Sequence, residues 1–493
     1  MQGQNSSVPR QGRQSGGLGW LLFALAALTL YRAGVAGHAL PLYLDEAQYW
    51  IWSRTPDWGY YSKPPMVAWL IGLFSVFGDS ELSVRMASLL LHPLSALLVH
   101  ALGRRMFDAR TALGAALLFI SLPLVGFNSL FMTTDAPLMF FWGLASYALW
   151  NGLHRNRRSD WLLLGLAVGL GLLSKYSMVL FAASAGLVLW LPHYRHRWRQ
   201  RGLPAAAALA LLIFLPNLWW NARMGFVSFR HTAEISQLGG ALFHPARLAE
   251  FIGAQFACMG PIGFAFLLAA LAAPAVWRDP KQGFLAALTL PFLGVIALQA
   301  LLAKANANWA APAYFAGSLL VAARLLAQGR LRWTIAALVL NVALLSVFYH
   351  YRSLAGALGI TLTRARDPYA RVLGWPRAGQ EVGRVLARYP HAHLATVERA
   401  EFALLHYYVH PHPYTMCIWN PAGQRRNQFH LTADIAQARG ASFIVATTRP
   451  MEAGAARAFE QWSALGQVSV PLYPDDALRL YLYRGERFRG YPP

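Results

Sequence analysis

The chain is poor in charged residues, in acidic residues above all, and in cysteine. Only 13% of its 493 residues are charged, about half the share of roughly 25% found in soluble domains. Asp and Glu number 21 against 43 Lys and Arg, which gives a net charge of +22. Of the two cysteines, Cys258 lies in an apolar run and Cys417 in the polar C-terminal part. We therefore expect no disulfide and no cysteine-based metal site.

Apolar residues are abundant instead, at 56% of the chain, and they form a series of long runs. A bilayer core about 30 Å thick needs about 20 helical residues to cross it. The runs predict a polytopic, all-α membrane protein whose spans lie within the first 350 residues. We place eleven spans near 18–36, 82–102, 111–128, 136–152, 161–174, 176–192, 203–221, 250–275, 283–303, 308–326 and 332–350.

The basic residues cluster in short loops after alternate spans. In a soluble protein this net charge would indicate nucleic acid, but here its position is typical of the positive-inside bias of membrane proteins. We predict no nucleic-acid partner, a cytoplasmic tail of residues 1–17 and an external C-terminus. The clusters are Arg104, Arg105 and Arg110; Arg155, Arg157 and Arg158; Arg195, Arg197, Arg199 and Arg201; Arg278 and Lys281; and Arg330 and Arg332.

Two apolar regions do not read as single spans. Residues 161–192 would extend about 48 Å as one helix, too long to cross once without strong tilt. Its one charged residue, Lys175, would also be costly at mid-membrane, so we split the run at Ser174–Lys175. Residues 64–81 begin with two prolines and end in Gly78-Asp79. They predict an interfacial or partly embedded helix, because another span here would place the arginine clusters outside.

The first external loop, residues 37–81, carries the strongest candidates for chemistry. Asp45 and Glu46 are adjacent carboxylates, and Asp45, Gln48 and Tyr49 share one face of a short helix. We predict Asp45 as the catalytic carboxylate, with Glu46 as the next candidate. The alternative is that Asp45 caps an amphipathic helix at the interface.

Lys63 follows Tyr60 and Tyr61 in the same loop and precedes Pro64-Pro65. Proline holds the preceding residue in an extended conformation, and a lysine fixed near a carboxylate at the membrane face suits a phosphate group. We predict that Lys63 and the two tyrosines bind substrate. The alternative for Lys63 is ordinary snorkelling to the lipid headgroups.

Further candidates lie in the other external loops. Asp135 stands in a turn between two spans and is a third candidate carboxylate, although it is also well placed to cap a helix. Side chains that suit an anionic sugar donor are Lys175, Arg230, His231, Lys304 and Asn308. A lone histidine such as His231 is more often a structural hydrogen-bonding group than a ligand, and residues 222–249 contain no HxxxH or similar pair.

Together these residues resemble a known family. Asp45-Glu46, Trp58-Gly59-Tyr60-Tyr61, Lys63-Pro64-Pro65, Thr134-Asp135-Ala136-Pro137, Ser174-Lys175-Tyr176 and Asn308-Trp309 look like the bacterial glycosyltransferase family 39 pattern. That family includes protein O-mannosyltransferases and is similar to the lipid A aminoarabinose transferases. The likeness covers roughly residues 18–350.

The resemblance implies a GT-C fold, a polyprenyl-phosphate sugar donor and single displacement with inversion. It implies that Asp45 is the catalytic acidic residue and that Lys63 meets the donor phosphate. The acceptor it implies is lipopolysaccharide or lipid A, another glycan or a protein, at the face of the membrane. In the aminoarabinose enzymes an acidic residue precedes the lysine and helps to hold a metal. Ser62 stands there in this chain, so no cofactor is assigned and a divalent metal stays an open alternative.

Residues 351–493 have a different composition and predict a small external α/β domain. Strands are expected at His393–Val397, Pro413–Ile418, Ser442–Ala446, Val468–Leu472 and Leu478–Tyr483. Helices are expected at Ala378–Tyr389, Ala400–Val409, Thr432–Arg439 and Ala455–Ala464. No phosphate-binding loop follows the first strand, and we expect the domain to cover the catalytic face or to help hold the acceptor.

A transporter or flippase of a lipid-linked sugar is the competing function. Such a protein should place ionisable residues and broken helices at the midplane of the membrane. This chain concentrates its polar groups at one end of the spans, which favours an integral-membrane transferase.

Overall fold

The computed structural model describes residues 16–38, 40–237 and 242–491. The expected cytoplasmic tail lies almost entirely outside these residues. The helices of the first 357 residues are α1 (Gly16–His38), α2 (Leu44–Arg54), α3 (Met66–Phe74), α4 (Glu81–Met106), α5 (Ala109–Ser121), α6 (Pro123–Ser129), α7 (Asp135–Arg155), α8 (Arg158–Ser174), α9 (Leu180–Trp190), α10 (Gly202–Arg223), α11 (Val227–Ser236), α12 (Pro245–Met259), α13 (Pro261–Ala272), α14 (Pro274–Arg278), α15 (Pro280–Leu302), α16 (Ala313–Ala327), α17 (Leu331–Tyr349) and α18 (Tyr351–Ala357).

Helices lie at all eleven expected spans, so this is a multi-pass membrane protein. Within the described ranges, five helices (α1, α4, α10, α15 and α17) are long and apolar enough to cross a membrane by themselves. Two more spans are bent pairs, α5 with α6 at 60° and α12 with α13 at 117°. The other expected spans correspond to α7, α8, α9 and α16.

The sharpest bend corrects the single span expected at 250–275. Gly260, between α12 and α13, has φ +83°, and a Cβ there would lie 1.9 Å from Oδ1 of Asn341. Only glycine fits this approach without movement of its neighbour. The bent pair still runs from one end of α15 to the other. Its start lies near the C-terminus of α15, because the His244 amide donates to the Leu301 carbonyl at 2.7 Å. Its end lies near the N-terminus of α15, because α14 leads directly into Pro280. The order of the later spans is therefore unchanged.

Both ambiguous apolar regions have the expected form. The run 161–192 breaks after Ser174, where Lys175 is extended, with φ −158° and ψ 134°, before a 3-10 turn (Tyr176–Val179) and α9. In the region 64–81, α3 and the 3-10 turn Ser75–Phe77 are together too short to span a bilayer. Their combined length agrees with the interfacial or partly embedded helix that the sequence predicts for this region.

Basic loops gather at one end of the bundle and the candidate residues at the other. Tyr194 donates to the Pro280 carbonyl at 3.0 Å, and the Lys281 ammonium lies 5.6 Å from the Phe107 ring centroid. The loop after α15, at the far end of this helix of about 34 Å, contains Asn308, which contacts Asp135 at 2.7 Å. The arginine clusters thus lie opposite the candidate site.

The C-terminal part folds as the predicted α/β domain. Its strands are β1 (Ala392–Thr396), β2 (Cys417–Ile418), β3 (Ser442–Thr447), β4 (Phe459–Tyr473) and β5 (Asp476–Phe488), in the sheet order β2-β1-β3-β5-β4. β1, β2 and β3 are parallel, β5 is antiparallel to β3, and β4 pairs with β5 in a long antiparallel hairpin. The two cysteines are free, as expected. The helices of the domain are α19 (Trp375–Leu386), α20 (Arg399–Tyr408) and α21 (Gln428–Thr432).

Three local expectations in this domain are wrong. Pro413–Ile418 forms only the two-residue β2. The helix expected at Thr432–Arg439 is interrupted because Asp434 is extended and accepts a hydrogen bond from the Ala436 amide at 2.8 Å. The helix expected at Ala455–Ala464 becomes strand from Phe459 onward. There, pairing with β5 and stacking of Trp462 on Tyr483, at 5.2 Å, outweigh the local helix propensity.

The α/β domain packs directly on the first external loop. One continuous core joins Trp50 and Trp52 of α2 to Phe402 and Tyr407 of α20. The rings of Trp50 and Tyr407 meet edge to face at 5.0 Å. The α/β domain therefore covers α2, the helix that carries Asp45 and Glu46.

Candidate active site

Glu46, a predicted catalytic residue, is a buried structural group. Its carboxylate accepts from Nε and a terminal nitrogen of Arg85 at 2.9 and 2.8 Å, from the Met132 amide at 2.8 Å and from the Tyr43 amide at 2.9 Å. The Glu46 side chain is 1% exposed. With four donors on two oxygens and no access to solvent, it cannot meet a substrate, and the prediction is corrected. Glu46 joins α2 to α4 and to the turn before α7.

Tyr60 is also structural. Its ring stacks on Trp52 at 4.5 Å and 6°, and its hydroxyl donates to the carbonyls of Trp52 and Thr55 at 2.9 and 3.2 Å and accepts from the Asp57 amide. Because this hydroxyl is buried and fully used, the geometry favours a structural role for Tyr60 in fixing the loop over the predicted role in substrate binding.

The loop Thr55–Pro65 is anchored from α10 and α11. Trp220 donates from its indole to Asp57 at 2.7 Å, and the Asn217 amide group donates to the Trp58 carbonyl at 2.6 Å. Gly59 lies against the Trp220 ring, where a Cβ would be 2.5 Å from the nearest ring carbon. The glycine lets the backbone approach this aromatic wall closely, and Lys63 follows four residues later.

Asp45 lies at the surface of α2 beneath Arg399 of α20. The Arg399 guanidinium donates to Asp45 Oδ1 at 3.2 Å and to Gln48 Oε1 at 3.0 Å. The Asp45 side chain is 38% exposed, and its Oδ2 has no hydrogen bond to the described residues. Asp45 therefore presents an open, partly solvated acceptor oxygen, as a general base requires.

Asp135 organises a neighbouring group. It is 2% exposed, and its two oxygens accept from Lys175 Nζ at 2.6 Å and from Asn308 Nδ2 at 2.7 Å. Three predicted site residues, from α7, from the break after α8 and from the loop after α15, thus meet at one point. Asp135 has no free oxygen, which fits positioning of Lys175 and Asn308 better than the catalytic role predicted as one alternative.

Lys63 is the unpaired cation of the site. Its ammonium has no hydrogen bond or ion pair with any described residue, while its carbonyl accepts from the Tyr60 amide at 3.0 Å. Burial lowers the pKa of Lys63, the positive charge of Lys175 lowers it further, and Asp45 and Asp135 oppose the shift. Lys63, Lys175 and both carboxylates are therefore close enough to act on one another electrostatically.

The remaining predicted residues divide into two groups. Tyr61 is 5% exposed, with its ring 5.0 Å from His231. Burial lowers the pKa of His231, and the nearby charge of Lys63 lowers it further, so Tyr61 and His231 border the site. Arg230 and Lys304 are exposed, and their side chains make no hydrogen bond or ion pair with the other candidates in the described part of the chain.

The described residues do not form a conspicuous metal site. No group of three or more His, Cys, Asp or Glu side chains in that part of the chain has the arrangement of a metal centre. Asp135, a buried candidate carboxylate, already binds an ammonium and an amide. Both Asp135 oxygens are therefore occupied by partners within this chain.

Comparison with known proteins finds a matching family in the membrane region. Residues 62–220 match the sequence profile of the dolichyl-phosphate-mannose-protein mannosyltransferase family. The chain is 36% identical, over 303 residues, to lipid A galacturonosyltransferase RgtD of Rhizobium johnstonii. The chain is a relative of these transferases. The match covers 61% of this chain and 64% of RgtD, so the chain spans less than two thirds of that relative.

A second relative and a solved structure extend the likeness. Undecaprenyl phosphate-α-4-amino-4-deoxy-L-arabinose arabinosyl transferase of Pseudomonas aeruginosa is 34% identical over 219 residues, which are 40% of this chain and 39% of that protein. The crystal structure of ArnT from Cupriavidus metallidurans bound to undecaprenyl phosphate superposes with a TM-score of 0.65 at 18% identity, over 94% of this chain and 98% of ArnT. The expected GT-C fold is confirmed.

The main residues that sequence analysis missed are arginines and their partners. Arg85 lies inside an apolar run, and an ionisable residue there needs a partner, so its pairing with a carboxylate was open to prediction. Arg399 is 354 positions from Asp45, and its place in the site follows only from docking of the α/β domain.

Proposed function

We propose that this protein transfers a sugar from a polyprenyl phosphate to lipid A or lipopolysaccharide at the external face of the membrane. The observation that carries the proposal is one loop that presents an open carboxylate oxygen on Asp45 and an unpaired ammonium on Lys63. Both lie under the α/β domain, where a lipid phosphate and an acceptor can meet. The names of the relatives support lipid A or lipopolysaccharide as acceptor and undecaprenyl phosphate as carrier.

The reaction assigned to the site is a single displacement. An acceptor hydroxyl attacks the anomeric carbon while the bond from that carbon to the phosphate oxygen breaks. The hydroxyl proton passes to Asp45 Oδ2, and the electron pair of the broken bond stays on the polyprenyl phosphate. Attack opposite the leaving group inverts the anomeric configuration. A positioned base contributes about 10²–10⁴-fold.

The cations stabilise the charge that grows on the leaving phosphate. Lys63 has no protein partner to give up, so it is free to meet the phosphate. Lys175 donates to Asp135, which Asn308 holds from the other oxygen, and this places a second cation at a fixed point. Arg399 pairs with Asp45 in the resting protein and orients that carboxylate.

The proposed topology places the N-terminus in the cytoplasm and the C-terminal domain in the periplasm, in a bacterial inner membrane. The gathering of the arginine loops opposite the site supports it under the positive-inside rule. In this arrangement residues 18–350 form the catalytic membrane domain, residues 351–493 the periplasmic domain and residues 1–17 a cytoplasmic tail.

Mass spectrometry of lipopolysaccharide, lipids and envelope proteins from cells with and without the gene tests this function. A sugar of defined mass should disappear from lipid A or the lipopolysaccharide core and return on complementation. A flippase would leave the purified protein unable to form any glycosidic bond, and sugar lost only from envelope proteins would exclude the proposed acceptor.

A further inference from the structure

A cavity of about 560 Å³ opens in the α/β domain beside the candidate site. Its walls are the loops that follow the three parallel strands: Val397–Arg399 after β1, Trp419–Asn420 after β2 and Thr447–Arg449 after β3. In open α/β sheets, ligands bind in the crevice outside the carboxyl ends of parallel strands. The catalytic loop does not line this cavity.

Positive charge dominates the walls. Arg399, Arg426 and Arg449 line the cavity, together with the carboxylates of Glu398 and Glu452. Glu398 caps the N-terminus of α20 with its side chain. The side chains of Arg426 and Arg449 make no hydrogen bond or ion pair with any described residue. Two guanidinium groups that line the cavity are thus unpaired within the described part of the chain.

Two residues that line the cavity, Arg399 and Arg426, also lie close to residues of the loop 37–81. Arg399 lines the cavity and also donates to Asp45 at 3.2 Å. Burial and the charge of Glu234 raise the pKa of Tyr61, and Arg426 lies close enough to oppose that shift. Gln428, two residues after Arg426, accepts the Tyr61 amide hydrogen at 2.7 Å. A ligand in the cavity would therefore lie next to the proposed base.

The chemistry of the walls favours a phosphorylated saccharide. Guanidinium groups bind phosphate through paired hydrogen bonds, while Asn427 and Gln424 supply side-chain amides suited to sugar hydroxyls. The volume lies in the range of small-ligand pockets, large enough for a sugar headgroup with its phosphate.

We infer that Arg426 and Arg449 bind a phosphate on the headgroup of a glycolipid acceptor, which sets its hydroxyl beside Asp45. This inference rests on the proposed function, because it names the feature by which that site selects its acceptor. It assigns the periplasmic domain the task of acceptor recognition, while Lys63 and Lys175 serve the donor.

Binding of the full-length, detergent-solubilised protein to synthetic probes tests the inference without any transfer reaction. One probe is an acylated glucosamine disaccharide with a phosphate, and the other is the same lipid without it. Wild type should bind the phosphorylated probe about tenfold or more tightly, since charged hydrogen bonds each contribute on the order of one tenfold step. Arg426→Gln/Arg449→Gln should lose this preference.

Arg425→Gln is the matched control, because Arg425 is exposed beside Arg426 but does not line the cavity. It should keep the preference, and undecaprenyl phosphate should bind all three proteins equally. Each single variant is measured as well, with thermal unfolding as a check of folding.

Four results would overturn the inference. They are equal binding of the two probes by wild type, an undiminished preference in the double variant, a matching loss of undecaprenyl phosphate binding, or inorganic phosphate binding as tightly as the glycolipid. A phosphate preference in a protein that transfers no sugar would refute the proposed function alone.

Discussion

At the scale of single residues, two adjacent carboxylates in α2 have opposite surroundings. Asp45 is partly exposed with one free oxygen, whereas Glu46 is enclosed by Arg85 and two backbone amides. A helix turns about 100° per residue, so neighbours must face different environments. The sequence predicts that only one of the two carboxylates points at a given substrate atom. The hydrogen-bond partners that enclose Glu46 leave Asp45 as the candidate.

Replacing Glu46 with Gln should destabilise the protein without a specific effect on chemistry. The change leaves the buried Arg85 charge without its anion, which costs about 3–5 kcal/mol. The melting temperature of Glu46→Gln should fall by several degrees, measured by thermal unfolding in detergent. Asp45→Asn is the matched control and should melt like wild type. A Glu46→Gln variant as stable as wild type would remove the structural role assigned to this pair.

Lys63 should give the alkaline side of the pH profile. Its ammonium binds the donor phosphate only when protonated, and burial together with Lys175 lowers its pKa from the usual 10.5. Donor kcat/KM, which reports the free enzyme, should therefore fall as pH rises through a value below 10.5. Lys63→Arg should retain activity to higher pH, and Lys63→Met should raise the donor KM at every pH. An unchanged donor KM in Lys63→Met would remove Lys63 from the site.

The residues that sequence identified lie close together in the chain or in short loops between spans. Asp45 and Lys63 share one loop, and proline beside Lys63 marked it as fixed. Tyr60 was assigned to substrate because an aromatic residue in a polar loop looks available, whereas its hydroxyl is used by the loop itself. No local signal distinguishes these two uses of a tyrosine.

At the scale of elements, the loop Thr55–Pro65 depends on contact with α10. Gly59→Ala would place a Cβ 2.5 Å from the Trp220 ring, and overpacking of this kind costs about 1–3 kcal/mol. We expect lower thermal stability and a higher donor KM, since the loop carries Lys63.

A double-mutant cycle with Trp220→Leu tests the cause. The smaller side chain relieves the clash but loses the hydrogen bond to Asp57, so the two changes together should cost less than their sum. Strictly additive effects would show that Gly59 is needed for another reason.

Apolar periodicity and length predicted the helices of the membrane part because bilayer thickness imposes a common length on spans. The break at Lys175 followed from the same argument. The strand β4 was missed at Ala455–Ala464 because its cross-strand partner lies in β5, and only tertiary pairing decides between strand and helix there.

At the scale of the whole molecule, the α/β domain and the catalytic loop must lie on one side of the membrane, because they share a core. Alkaline phosphatase fused to the C-terminus should be active, since it works only in the periplasm. A fusion after Gly329, next to the basic loop between α16 and α17, is the control and should be inactive. The reverse pattern would overturn the topology.

Fold class and domain order were predictable from the composition shift near residue 350 and from the arginine asymmetry. The docking of the domain was not, because it depends on aromatic packing between α2 and α20. Arg399 reaches Asp45 only through that packing, so the complete site could not be read from the membrane segment alone.

The most direct test of the central claim is transfer by the purified protein in detergent. Wild type is given an undecaprenyl-phosphate sugar, with RgtD and the arabinosyl transferase suggesting galacturonate and aminoarabinose as first choices, and lipid A as acceptor. Mass spectrometry and NMR should detect lipid A heavier by one sugar residue with inverted anomeric configuration, and Asp45→Asn should be about 10²–10⁴-fold slower. Retained configuration, or an Asp45→Asn variant as fast as wild type, would contradict the account.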